Sequence, residues 1–112
     1  MAAVLLAALT AASCGVSSDV SRELGARCAD LDECDDRCLE GGRFPGGFCS
    51  TSCDNDGDCP DGATCAALQG GVCLFECSDA SDCDFLGVRW ECLSQAASGS
   101  AGGEVLVCIG AS

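Results

Sequence analysis

Apolar and polar positions follow two patterns along this chain. Met1 to Ala12 is a nearly unbroken apolar run, M-A-A-V-L-L-A-A-L-T-A-A. It falls short of the ~20 residues a membrane-spanning helix needs and fits the apolar region of a secretory signal peptide, although no Lys or Arg precedes it. From Cys28 on, polar loops rich in Asp, Asn, Ser and Gly alternate with short, more apolar stretches, and cysteines punctuate both. The polar loops read as turns. The apolar stretches read as paired strands around glycine pairs, which supply the positive φ of hairpin turns. Thr64–Leu68 and Val72–Glu76 are predicted strands around Gln69-Gly70-Gly71. Val88–Leu93 and Glu104–Ile109 form the same hairpin with a longer loop, Ser94 to Gly103. Weaker strands flank Gly41 to Gly47, where Arg43-Phe44-Pro45-Gly46 contains a Pro-Gly turn.

The cysteine spacing is an internal repeat. From Cys28 the gaps run 5, 3, 10, then 3, then 5, 5, 7, then 3, then 5, 8, 15. One four-cysteine unit is therefore written three times: Cys28, Cys34, Cys38 and Cys49; Cys53, Cys59, Cys65 and Cys73; Cys77, Cys83, Cys92 and Cys108. The opening loops C-A-D-L-D-E-C, C-D-N-D-G-D-C and C-S-D-A-S-D-C agree in length, and each places an acid just before the second Cys. A glycine pair precedes the fourth Cys of every unit.

Composition explains why cysteine must carry the fold. Between Cys28 and Cys108 there are only 16 large apolar residues, too few for a sizeable core in a small chain. An isolated hairpin is marginal in water, whereas a disulfide contributes ~2–4 kcal/mol by restricting the unfolded chain. The 13 cysteines mark a disulfide scaffold. Export makes that chemistry available, because thiols oxidise and stay oxidised outside the cytoplasm. The expected fold is small and disulfide-rich: three tandem modules, 28–49, 53–73 and 77–108, each a turn loop plus a short β-hairpin. Three-residue links bring adjacent modules into contact as an elongated stack, each module borrowing little core from the next, with roughly additive stability. Four cysteines allow three pairings, so spacing alone leaves the connectivity open.

The run C-x5-C-x(3–8)-C-x(7–15)-C-x3-C is similar to cysteine-rich modules of many lipoproteins of GC-rich Gram-negative bacteria. It also resembles the Dickkopf N-terminal cysteine-rich domain. The resemblance covers Cys28 to Cys108 and is carried by cysteines and turn residues alone. It implies interlocked first-to-third and second-to-fourth bridges: Cys28–Cys38, Cys34–Cys49, Cys53–Cys65, Cys59–Cys73, Cys77–Cys92 and Cys83–Cys108. Nothing between the cysteines matches a receptor-binding segment of that family.

Ala11-Ala12-Ser13-Cys14 looks like the lipobox of bacterial lipoproteins, with Ala11 where that family favours Leu. The resemblance implies that residues 1–13 are a signal peptide, that Cys14 is acylated, and that 14–27 form a tether. It places the protein at the cell envelope, anchored in the outer membrane through Cys14. Removing Cys14 from 13 cysteines leaves 12, which pair completely. Loss of Cys14 within a discarded signal peptide leaves the same 12 and gives a secreted protein.

Charge and missing residue types narrow the function. Eighteen acids oppose five Arg, for a net charge of −13. Such a field solubilises the chain, repels nucleic acid and leaves basic or envelope proteins as the candidate partners. The chain has no His, Lys or Tyr to serve as a base near neutral pKa. Its acids sit in turn loops without an apolar pocket. No catalytic constellation is present, and neither an enzyme nor a cofactor is expected. No C-x2-C spacing supports a zinc site. Asp54-Asn55-Asp56-Gly57-Asp58 resembles a calcium loop, with Asp54, Asp56 and Asp58 as ligands. However, Cys59 and Cys65 stand where an EF-hand places its Gly and closing Glu, and a solvated turn between bridged cysteines is the simpler reading. Trp90, Phe44, Phe48, Phe75 and Phe85 are expected to pack inward, Trp90 on a disulfide or the opposite strand. Two functions remain. The first is an envelope-anchored binding or adhesion module, which an exposed apolar patch around Phe44, Phe48 or Trp90 would favour. The alternative is a structural surface spacer, which a patch-free acidic surface would favour.

Overall fold

The computed structural model describes residues 20–99 and 102–110. The signal-peptide and lipidation readings at 1–13 and Cys14 lie outside the described residues. The fold is small and disulfide-rich, with three two-stranded antiparallel sheets. β1 (Arg37–Leu39) pairs with β2 (Phe48–Ser50), β3 (Ala63–Ala66) with β4 (Val72–Phe75), and β5 (Trp90–Ala96) with β6 (Glu104–Gly110). In each sheet the third and fourth cysteines of a unit face each other across the ladder: Cys38 with Cys49, Cys65 with Cys73, and Cys92 with Cys108.

Each hairpin is stapled to its own opening turn. The bridges are Cys28–Cys38 and Cys34–Cys49, then Cys53–Cys65 and Cys59–Cys73, then Cys77–Cys92 and Cys83–Cys108. This is the interlocked order that the family resemblance implies, and no bridge joins one unit to another.

The opening turns are 3-10 helices at Leu31–Glu33, Asp56–Asp58 and Ala80–Leu86. Asp30, Asn55 and Asp79 cap them with nearly identical extended backbones, φ −153°, −154° and −152°. The acid before the second cysteine (Glu33, Asp58 or Asp82) reaches back to the cap backbone and completes a capping box.

The second glycine of the pair does more than turn the chain. A Cβ on Gly47 would run into the carbonyl of Cys28, and one on Gly71 into the carbonyl of Cys53. In the first two units the hairpin therefore passes directly under the backbone of the unit's first cysteine, an approach only glycine permits. Gly103 in the third unit has nothing within 4 Å.

Strand ends differ slightly from the sequence reading. β3 stops at Ala66, because the turn begins early with the Leu68 N–H donating to the Ala66 carbonyl at 2.9 Å. β4 stops at Phe75, one residue short of the expected Glu76. β5 starts at Trp90, leaving Val88 and Arg89 outside it, and continues through Ser94–Ala96, where a loop was expected. Pairing of Ala96 with Glu104 carries the ladder to that point.

Two expectations are corrected. First, the described part of the 14–27 stretch is no loose tether. Leu24 is buried, the Gly25 N–H donates to the Cys49 carbonyl at 2.8 Å, and the Cys49 N–H donates to the Ala26 carbonyl at 2.8 Å. The segment is thus tied to β2 at Cys49. Second, the modules share their core. One buried cluster runs through Leu24, Leu39, Phe44 and Phe48, through Val72 and Leu74, to Leu86, Trp90, Val107 and Ile109. Polar groups also cross between units: the Ser50 hydroxyl donates to the Cys73 carbonyl at 2.7 Å, and the Ala67 N–H to the Ala96 carbonyl at 2.8 Å. No single hairpin has a second apolar layer of its own, so each covers its face with its neighbours.

Candidate functional site

The acidic turn at 54–58 was the candidate calcium loop. All five of its residues are exposed; the side-chain acceptors of Asn55, Asp56 and Asp58 have partners, while Asp54 is bonded through its backbone only. The Asp58 carboxylate accepts from the Asp54 N–H at 2.9 Å and the Asn55 N–H at 3.3 Å. The Asp56 carboxylate accepts from the Thr64 hydroxyl at 2.7 Å and the Cys65 N–H at 3.4 Å. Asn55 accepts from the Gly57 N–H at 3.0 Å. Cap and strand bonds hold these groups, and the same cap recurs at 30–33 and 79–82. This geometry gives the acids a folding role, that of fixing a turn whose ends are both bridged.

The electrostatics of the other two turns agree. Glu33 accepts backbone N–H bonds from Ala29 and Asp30, which hold its carboxyl below the ordinary range. Asp79 is held low chiefly by the Ser81 hydroxyl, then by the Ser81 N–H. The cysteine triads Cys28/Cys34/Cys38, Cys53/Cys59/Cys65 and Cys77/Cys83/Cys108 are tight enough for a metal, yet every one of these sulfurs is tied up in a bridge. None can become the thiolate that zinc requires.

The aromatic residues form no surface patch. Phe44 is 4% exposed, Phe48 0% and Trp90 5%. The Trp90 ring lies 5.2 Å from Phe48 and 6.4 Å from Phe44, and its indole N–H donates to the Pro45 carbonyl at 3.2 Å. Trp90 packs inward as expected, and its ring meets Phe44 and Phe48 of the first module. Phe75 extends the cluster from Phe48 toward the half-exposed Phe85. Of the exposed large apolar residues among the described ones, Val20 lies in the leading segment, Leu31 in the first module, and Phe85, Val88 and Leu106 in the third.

What the structure adds is a cleft of about 240 Å³ where the first and third modules meet. Arg27 and Arg89 line it together with Pro45, Leu86, Val88 and Trp90. Arg27 reaches across the junction, donating to the Leu86 carbonyl at 3.4 Å. Nothing in the sequence reading marked this site. Its residues lie up to 63 positions apart (27 to 90), and the only available signal was the scarcity of Arg in so acidic a chain. By contrast, the capping boxes could have been read from Asp30–Glu33, Asn55–Asp58 and Asp79–Asp82, which have the spacing of that motif.

No family model matches the chain, and no curated protein or solved structure matches it.

Proposed function

We propose that this chain is an exported, non-enzymatic structural module, tethered to the cell envelope through acylated Cys14, that acts as a rigid acidic spacer at the outer membrane. The observation that carries this reading is the burial of Phe44, Phe48 and Trp90 in a core shared between modules. The aromatic side chains that could have formed an adhesive patch instead bind the modules to one another. The surface carries three capped acidic turns, which resist collapse and association through like charge. Six bridges within so small a chain restrict local opening, the event a protease needs. The absence of His, Lys and Tyr fits a protein without acid–base chemistry. One observation favours binding as a second reading, and that is the arginine-lined cleft.

The test is to express the full chain in a Gram-negative host and recover it from membranes. Intact mass should show a diacylglycerol adduct and an acylated amine on Cys14. The oxidised protein should withstand a protease that degrades it rapidly once reductant is added. A soluble mature chain starting elsewhere would remove the tether. Equal digestion with and without reductant would remove the rigid spacer.

A further inference from the structure

The cleft between the first and third modules inverts the charge of the protein. Eighteen acids outnumber five Arg in the chain, yet the cleft is lined by two Arg and by no carboxylate. Among the described residues the only ion pair is Arg22–Asp35, so neither Arg27 nor Arg89 is neutralised by an acid there.

Arg27 and Arg89 are both exposed, and the Arg27 guanidinium lies against two turns. A Cβ on Gly46 would sit 3.1 Å from its Nη1, and one on Gly87 would sit 3.2 Å from its Nη2. The guanidinium therefore lies closely between a turn of the first module and a turn of the third. Both glycines have positive φ, 82° and 131°, so these turns leave room for Arg27 where a side chain would crowd it. A fixed guanidinium fork loses little entropy on pairing with a planar anion. Beside the two charges stand apolar walls: Pro45, Leu86, the edge of Trp90, and Val88, which is 99% exposed.

Size and charge specify the occupant. A cleft of about 240 Å³ has room for one small group and its anionic head. A field from −13 charges opposes a dianion about twice as strongly as a monoanion, which favours carboxylate over phosphate. We infer that this cleft binds a monocarboxylate carrying a small apolar group, with Arg27 and Arg89 on the carboxylate and Val88, Leu86 and Pro45 on the apolar part. The same chemistry comes from a free branched-chain acid or from the C-terminal residue of a peptide. This inference goes beyond the spacer reading and does not depend on the lipid anchor.

Trp90 is the only Trp and there is no Tyr, so intrinsic fluorescence reports directly on the cleft. The full, bridged chain is titrated at constant ionic strength with N-acetyl-leucine and with 4-methylpentanoate. A saturable change is expected, with acetate and N-acetyl-leucinamide at least about tenfold weaker, since a charge-assisted pair contributes about a decade in affinity. Arg89→Gln should weaken binding about tenfold, and Arg27→Gln at least as much. Arg27 also joins two modules, so Arg89→Gln, whose bridges are checked by peptide mapping, is the deciding variant. Stronger binding of N-acetyl-leucine assigns the C-terminal residue of a peptide, and equal binding assigns the free acid. The inference fails if neither acid saturates, if acetate or the amide matches them, or if Arg89→Gln binds like the parent.

Discussion

The second and third modules begin alike and end differently. Asn55 and Asp79 cap their turns at φ −154° and −152°, both with ψ 176°, and each turn is closed by an acid at its third position. Beyond the second cysteine the two diverge. β3 and β4 have four residues each and close on Gly71, packed under the Cys53 carbonyl. β5 and β6 have seven each and close near Gly103, which touches nothing within 4 Å. The added length reaches across to the second module. The Ala67 N–H donates to the Ala96 carbonyl at 2.8 Å and the Ser98 N–H to the Cys65 carbonyl at 2.9 Å. The shared half builds a module, and the half that varies joins the modules together.

The sharpest way to break this comparison is to truncate the residue that ties the third module to the first. Trp90→Ala should lower stability by ~3–5 kcal/mol, the usual cost of removing a large buried aromatic. With the bridges intact, hydrogen exchange should show the amides of β1 and β2 losing protection together with those of β5 and β6. If protection falls only in β5 and β6, the core is not shared and the modules unfold one by one.

Glycine substitutions sharpen the contrast between the two hairpins. Gly71→Ala places a Cβ against the Cys53 carbonyl at a φ of 108°, so steric overlap adds to the left-handed strain. About 2–4 kcal/mol is expected, from overpacking of ~1–3 plus roughly 1 for the backbone. Gly103→Ala has the strain, at φ 75°, but open space around it, and should cost only about 1 kcal/mol. Urea denaturation of both variants measures the difference. Equal losses would mean that Gly71 serves only the turn.

These contrasts also mark what the sequence could reveal. Disulfides, caps and glycine turns act over a few residues, so the three units and their hairpins were legible from spacing alone. The shared core was not, because it depends on Phe44 and Phe48 of the first unit meeting Trp90 of the third, 42–46 positions away. The 14–27 stretch was expected to be a tether because it follows the lipobox-like Cys14 and precedes the first module. Its backbone pairing to Cys49 leaves no composition signal. The cleft was invisible for the same reason as the core, since it exists only where two modules touch.

The smallest effect separates the two otherwise matching caps. Asp79 and Asn55 occupy the same position with the same backbone, but only Asp79 carries a titrating group. The Ser81 hydroxyl and N–H hold that carboxyl below its ordinary value, as the Ala29 and Asp30 N–H groups do for Glu33. A carboxyl whose pKa is lower in the folded state binds its proton more readily in the unfolded chain. Its stabilising contribution is therefore complete above the ordinary carboxylate pKa of about 4, and is lost as the pH falls through the lowered folded value. Asp79→Asn would convert the third cap into a copy of the second: the acceptor stays and the titration goes. The urea midpoint at pH 7 should change little, while the drop between pH 5 and pH 2 should become shallower than in the parent. Glu33→Gln should flatten the same limb in the first module. Both groups are fully exposed, so the change in slope is small. An unchanged acid limb in Asp79→Asn would show that the Ser81 bonds do not distinguish the charged carboxylate from the neutral amide. The cap would then act through its geometry alone, as the Asn55 cap does.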